Sequence, residues 1–383
     1  PVVSVIMPCL NEADSIAACV TQAWEGLRAC GLRGEVIVVD NGSTDGSAAR
    51  ARAAGAIVVE EPARGYGNAY LRGFEVARGR YLVMGDADGT YDFTELGRFI
   101  APLQQGYHLV VGNRFRGEIL PGAMPWLNRY VGNPVLSGLL KLLFRVDVGD
   151  AHCGMRSVRA DALPAMRLQS SGMEFASEMI IAAARAGLRI AEVPITYAPR
   201  IGESKLRRMR DGWRHLRFML LYSPDYLFLV PGMLLFLLGW LLLGLLLRGP
   251  LRLGTLQFVE HPMIVGSLLV LAGYQVLSFG FCAKLYAVAQ GYLADDALVR
   301  WAGRLLTLER GIAAGLLPIV LGLAIDLTIW REWAASGFGS LGRIREAVLA
   351  QTLIMLGVQM VFTAFFASIL AIPLRRSARP PAG

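Results

Sequence analysis

"VMGDADGT", residues 83–90, ends an apolar run with two carboxylates two positions apart, in a chain of 383 residues of which only 18% are charged. Gly85 and Gly89 flank Asp86 and Asp88 and let the backbone turn tightly there. In open α/β sheets ligands bind outside the carboxyl ends of the strands, which is where such a turn lies. The same rhythm recurs along the first half. "VVSVIMP" from Val2, "EVIVVD" from Glu35, "AIVVEE" from Ala56, "RYLVMGD" from Arg80 and "HLVVGNRF" from His108 read as short strands. Amphipathic segments at 12–30, 67–77 and 93–104 separate them, so the pattern is βαβ and the sheet largely parallel. "NE" follows the first strand, "DNGSTDGS" the second, "RGYG" the third and "GDADGT" the fourth, which gathers the polar clusters on one sheet edge.

On the residues alone the aspartate pair has two readings. Hard cations such as Mg²⁺ and Mn²⁺ take one or two carboxylates and let substrate phosphates complete the shell. Strand-end aspartates also cap backbone amides in turns or at the start of the next helix.

The second half is of another kind. With 54% hydrophobic residues and a net charge of +8, the chain is too apolar for an ordinary soluble enzyme. Runs at 226–247, 262–283, 311–330 and 348–374 contain a single charge, Asp326, and each is long enough for the ~20 residues of helix that cross a bilayer. The expected organisation is a catalytic domain at 1–199, a juxtamembrane amphipathic segment at 200–225, four transmembrane helices at 226–374 and a basic tail at 375–383. Within "RIGESKLRRMRDGWRHLRFMLLYSPDY", Leu206, Met209, Trp213, Leu216 and Leu220 share one helical face, and Arg207, Arg210, Arg214 and Arg217 share another. That is the pattern of a helix lying in the membrane interface; a packed helix with a solvated basic face is the alternative.

The start lacks the basic flank and small-residue cleavage site of a secretory signal, so targeting is expected from the spans. Five scattered cysteines without a CxxC pair, and four histidines without zinc spacing, fit reduced thiols on a cytoplasmic face. Lys and Arg concentrate in 200–217, 284–310 and the tail, which places the catalytic half and the C-terminus in the cytoplasm. Lys284 and Asp326 then fall at opposite ends of their spans and read as snorkelling and interface exposure rather than an ion pair.

Other classes fit less well. "GYGNAY" begins like a dinucleotide fingerprint, but Tyr70 stands where a third Gly or Ala belongs. Nucleic-acid binding needs a basic, aromatic surface on the soluble half, whereas the basic cluster abuts the spans. A transporter calls for polar residues within the spans, and these are nearly all apolar.

In order, "PCLNE", "VVDNGSTDGS", "RGYGNA", "GDADGT", "VGNRF", "DAHCGMR", "GMEFASEM" and "RIGESKL" resemble the family 2 glycosyltransferases of GT-A fold over about residues 2–232. Within that family the resemblance is to the polyprenyl-phosphate hexose synthases, with dolichyl-phosphate mannose and glucose synthases as close relatives. It implies a Rossmann-like, mostly parallel α/β domain followed by transmembrane helices. By that resemblance Pro8, Asn11 and Glu12 line the nucleotide pocket, Asp40 binds the base and Arg64 is among the substrate-binding residues. Asp86 and Asp88 hold Mg²⁺ or Mn²⁺ against the donor diphosphate. Arg114, Arg129, Arg200, Ser204 and Lys205 handle phosphates, with Asp88, Arg114, Arg129 and Arg200 in catalytic roles. Glu174, a turn before Glu178, either takes part in acid/base chemistry or orients arginines and sugar hydroxyls. Asp150 and Arg156 either shape the acceptor pocket or pin their loop. Leu10, Asn41 and Thr90 depart from the mannose-synthase pattern, in place of an aromatic, an Asp and a Gln, and "DADGT" looks more like the glucosyl-phosphate branch.

The partners expected are a nucleotide sugar, a polyprenyl phosphate and the membrane, with a homo-oligomer left open and no nucleic acid. UDP-glucose is favoured as donor, and GDP-mannose is the alternative. A second alternative is a polysaccharide synthase acting on a sugar hydroxyl, although its usual Q-x-x-R-W motif is missing. The chemistry has its own logic. A phosphomonoester has a second pKa of about 6, so the attacking oxygen is largely ionised at neutral pH and no side-chain base is required. One displacement at the anomeric carbon inverts it.

Overall fold

The apolar run at the start of the chain forms β1 (Val3–Cys9), buried along nearly its whole length, as the middle strand of a sheet covered on both faces must be. The structure, a computed structural model, describes residues 1–202, 208–253, 256–258, 260–289, 307–340 and 342–370. It separates into two units, Pro1–Met219 and Leu220–Gly383.

In the first unit β2 (Gly34–Asp40) and β4 (Tyr81–Met84) pair with β1 in parallel, one on each side, and β3 (Ile57–Glu60) extends the sheet beyond β2. The other half holds β5 (Leu109–Ile119), β6 (Arg156–Arg159) and β7 (Ile190–Tyr197), giving the seven-strand order β3-β2-β1-β4-β6-β5-β7. Strand β6 runs antiparallel to both β4 and β5; the other pairs are parallel. The five strands read from the sequence are all present, and β6 and β7 are added to them. Helix α1 (Ile16–Ala29) buries Ile16, Cys19, Val20, Ala23 and Leu27, the spacing of one apolar face. Helices α2 (Ser47–Ala53), α3 (Tyr66–Val76), α4 (Leu96–Gln104), α5 (Asn133–Phe144), α6 (Leu163–Met166) and α7 (Phe175–Arg185) follow. One continuous core joins the sheet to α1, α3, α4 and α7.

Leaving β1, the chain builds β2 and β3 on one side, then returns to place β4 on the other. The carboxyl ends of β1 and β4 therefore border the crevice at the switch in winding direction, the position at which such sheets bind ligands.

Helix α8 (Arg208–Leu221) docks through His215 and Met219, both buried, and leaves Trp213 exposed. The buried edge is thus not the Trp213–Leu216 face that the periodicity singles out. Leu206 and Arg207, along with Ser204 and Lys205, lie outside the described residues.

Four helices of the second unit, Asp225–Leu247, His261–Ala289, Leu308–Ala335 and Ile344–Leu370, are long and apolar enough to cross a membrane. Polar groups between spans find one another: the Ser267 and Thr352 hydroxyls lie 2.6 Å apart, and Gln359 donates to Gln275 at 3.2 Å. Lys284 corrects the snorkelling expectation. It is only 4% exposed, and its Nζ donates to Asp225 Oδ1 at 2.7 Å, so the ammonium is paired at the start of the first span.

Candidate active site

Two loops at the carboxyl edge are stitched together by short polar side chains. Asn11 adopts a left-handed backbone (φ 53°), which Asn tolerates better than most residues. Its N–H donates to Ser43 Oγ at 2.9 Å, and its Oδ1 accepts from Thr44 N at 2.8 Å. Glu12 N donates to Ser47 Oγ and Ala13 N to Asp45 Oδ2, so the loops after β1 and β2 form one wall. Pro8 lies near the end of β1, and Asp40 closes β2, its carboxylate accepting from Ser43 N. Arg64 is exposed on the loop before α3.

Beside this wall lies the loop after β4. Ser15 Oγ donates to Ala87 O at 2.6 Å and ties the two together. Asp88 is 7% exposed, and its Oδ1 accepts from both the N–H and the hydroxyl of Thr90, so the capping expectation is met by this residue. Its Oδ2 faces Arg200 Nη1 at 3.2 Å, and Arg200 Nη2 donates to Glu12. Arg200, 188 positions from Glu12, arrives because the chain after β7 runs along this loop: Ala198 N donates to Thr90 O and Ile201 N to Asp88 O. Asp86 accepts from the Tyr66 hydroxyl at 2.9 Å. Burial, with the Asp88 charge second, pushes the Asp86 carboxyl up to about 7.

That donor set fits a hard divalent cation. A cation at the pair would favour the ionised Asp86 carboxyl against both its burial and the Asp88 charge. Among the described residues no group of three or more His, Cys, Asp and Glu is placed to hold a metal; Asp86 and Asp88 are two carboxylates, and Mg²⁺ typically takes one or two carboxylates together with phosphate and water oxygens.

The other arginines are placed differently from one another. Arg114 is buried in a bidentate pair with Asp150, Nε to Oδ2 at 2.7 Å and Nη2 to Oδ1 at 2.8 Å, and lies 5.0 Å over the Tyr197 ring. Arg156, 1% exposed, donates to the carbonyls of Cys153, Ala176 and Ala151, so its guanidinium is committed to pinning the backbone. Arg129 sits in a π-helical turn, Asn128–Gly132, and lies over Tyr130. Trp126, Leu127, Tyr130, Val131 and Val135, its neighbours in the chain, are exposed, apolar side chains on the catalytic unit that the sequence reading passed over. Glu174 immediately precedes α7; its Oε2 is buried with no hydrogen-bond partner among the described residues. Glu178 accepts from Gln169 N and Ser170 N at 2.9 Å and is raised by burial, so it braces a loop.

A second arrangement was invisible in the sequence. The Ser177 hydroxyl lies 3.3 Å from His152 Nε2 and 2.9 Å from His215 Nδ1, linking α7 and the "AHC" loop to α8. Burial holds both imidazoles below their ordinary pKa, His215 at about 4, so they are neutral where they pack. A lone His in an apolar stripe carries no signal for such a partner.

Comparison with known proteins gives the family. The family model described as glycosyl transferase family 2 matches residues 4–166, and that of the family 2 glycosyltransferase C-terminal transmembrane region matches 281–371. The low-salt glycan biosynthesis hexosyltransferase Agl6 of Haloferax volcanii is 44% identical over 367 residues, 95% of this chain and 88% of that protein. A dolichyl-phosphate hexose transferase of the same organism is 35% identical over 215 residues, 55% of this chain and 88% of that one. Among solved structures, glucosyl-3-phosphoglycerate synthase from Mycobacterium tuberculosis with Mn²⁺ and UDP superposes with a TM-score of 0.45 at 24% identity, covering 57% of this chain and 78% of that one. The chain belongs to glycosyltransferase family 2, as a GT-A-like enzyme domain followed by membrane-spanning helices.

Proposed function

We propose that the chain transfers a hexose, from UDP-glucose by preference, to the phosphate of a polyprenyl phosphate at the cytoplasmic face of the membrane, with inversion and with Mg²⁺ or Mn²⁺. The observation that carries this reading is Arg200 bridging Glu12 and Asp88 at the switch point of the sheet, with Asp86 two residues before Asp88 on the same loop. The named activity of the dolichyl-phosphate relative supports the acceptor class. "DADGT" supports the donor.

In this reading Pro8, Asn11, Glu12, Asp40 and Arg64 border the nucleotide, and Asp86 and Asp88 hold the cation. A divalent cation there supplies charge stabilisation to the departing diphosphate. Arg200 holds the acceptor phosphate in line with the anomeric carbon, its fork suited to phosphate oxygens. Arg129 extends the basic path by which a membrane-anchored phosphate approaches; Ser204 and Lys205, given phosphate roles by the family resemblance, lie outside the described residues. The apolar surface around Arg129 rests on the lipid, since an anchored acceptor stays near the headgroups. Arg114 and Arg156 act as positioning residues, Glu174 meets sugar hydroxyls, and the ionised acceptor attacks without a protein base.

Arg200→Ala tests the acceptor assignment. Loss of a charge-assisted hydrogen bond is worth about 1.5–3 kcal/mol, so the KM for the lipid phosphate rises roughly 10- to 100-fold, more than affinity for the nucleotide sugar falls. A defect confined to the donor would overturn the assignment.

A further inference from the structure

The "GYG" that follows Arg64, residues 65–67, is not explained by the nucleotide or the acceptor, and it is not a dinucleotide fingerprint. We infer that it orients Asp86, with Tyr66 as the positioning residue that sets which carboxylate oxygen faces the cation; the inference rests on the metal reading above.

The two glycines let the start of α3 press against another backbone. A Cβ at Gly65 would lie 2.2 Å from Ser171 O, and one at Gly67 would lie 1.9 Å from Ser170 O. Gly67 N donates to Ser171 O at 2.9 Å, and Glu178 fixes the same stretch through the N–H groups of Gln169 and Ser170. Between those glycines, Tyr66 has little freedom. Its ring meets Tyr70 edge-on at 5.0 Å, and Tyr70 stacks on Phe175 at 5.6 Å, so the ring is held from α3 and α7 together. The hydroxyl then donates to Asp86 Oδ1 at 2.9 Å.

The opposite side is as closely fitted. A Cβ at Gly154 would lie 2.5 Å from Asp86 Oδ2, and Gly154 N donates to the Tyr91 hydroxyl at 2.8 Å. Asp86 is thus fixed between a hydroxyl donor on one oxygen and a residue that must lack a side chain beside the other. Groups that bond a metal ligand from behind set its direction, and their removal lowers metal affinity by about 10- to 100-fold.

The test is Mn²⁺ binding to the full chain in detergent with UDP present, followed by electron paramagnetic resonance, for the wild type, Tyr66→Phe and Gly154→Ala. The expected result is a Kd for Mn²⁺ raised about tenfold or more in Tyr66→Phe, with unchanged thermal stability. The Mn²⁺ needed for half-maximal transfer rises in step, by more than the maximal rate falls. Gly154→Ala approaches Asp86 from the other side and should raise the same Kd. Wild-type Mn²⁺ affinity in both variants overturns this inference and leaves the metal site standing. No Mn²⁺ binding by the wild type overturns the metal site itself, and this inference with it.

Discussion

Asp88→Asn lowers kcat/KM for hexose transfer by at least about three orders of magnitude, while the purified protein keeps its fold in detergent. The size follows from the chemistry asked of the site. A bound cation supplies several kcal/mol to the charge developing on the leaving group, and ~4 kcal/mol is about a thousandfold in rate. Retention of the fold follows from the local bonding. Asn has the same shape and still offers an oxygen to the Thr90 N–H and hydroxyl, so the turn keeps its cap. What the variant loses is the charge opposite Arg200 and half of the carboxylate pair. Activity within a few-fold of wild type would rule out the cation site at the end of β4.

Asp150→Asn acts on stability instead. Asp150 is fully buried and closes a bidentate pair with Arg114, itself 6% exposed, while also accepting the Arg114 N–H. Neutralising one member leaves a buried guanidinium uncompensated, which destabilises by about 3–5 kcal/mol. At roughly 2–4 °C per kcal/mol for a domain of this size, the thermal midpoint of the catalytic unit falls by about 10 °C. Replacing both partners with apolar residues of similar volume, Arg114→Met with Asp150→Leu, restores part of that loss, because no unpaired charge is left inside although the backbone N–H of residue 114 loses its acceptor. Thermal unfolding in detergent measures all three proteins; an unshifted midpoint for Asp150→Asn would mean that Arg114 finds another anion or reaches water. The recovered double variant should still transfer poorly if Arg114 positions the site through Tyr197.

Much of the fold was legible because the forces that make it are local. Buried parallel strands such as Val3–Cys9 and Gly34–Asp40 need unbroken apolar runs, and those runs stand out between polar clusters. The spans announce themselves by length and the near absence of charge. Strand β6 could not be read that way: four residues, "RSVR", half of them charged, become a strand only because β4 and β5 offer edges on both sides. Strand β7, "IAEVPITY", alternates weakly and contains a proline, a residue that argues against a strand.

The site divides along the same line. The clustering of Asp86, Asp88, Asn11 and Asp40 was legible because each lies at or just past the carboxyl end of a strand, and those ends share one edge of the sheet. The partners of the arginines were not, since they depend on long-range register. Arg200 meets Glu12 and Asp88 because the chain after β7 lies along the β4 loop, Arg114 meets Asp150 across 36 positions, and Lys284 meets Asp225 across 59. Helical periodicity says which face of α8 is apolar but not which face docks, and the buried His215 is held by a serine on α7 that no local pattern marks.

The most direct test of the proposed reaction is a count of label in the lipid phase. Purified protein is incubated with undecaprenyl phosphate, Mg²⁺ or Mn²⁺, and radiolabelled UDP-glucose or GDP-mannose in parallel, then extracted with organic solvent. The predicted result is label in the organic phase from UDP-glucose, lost on chelation and restored by added Mn²⁺. Label from GDP-mannose alone would correct the donor and keep the reaction. Folded protein that transfers no label to the lipid from either sugar would contradict it.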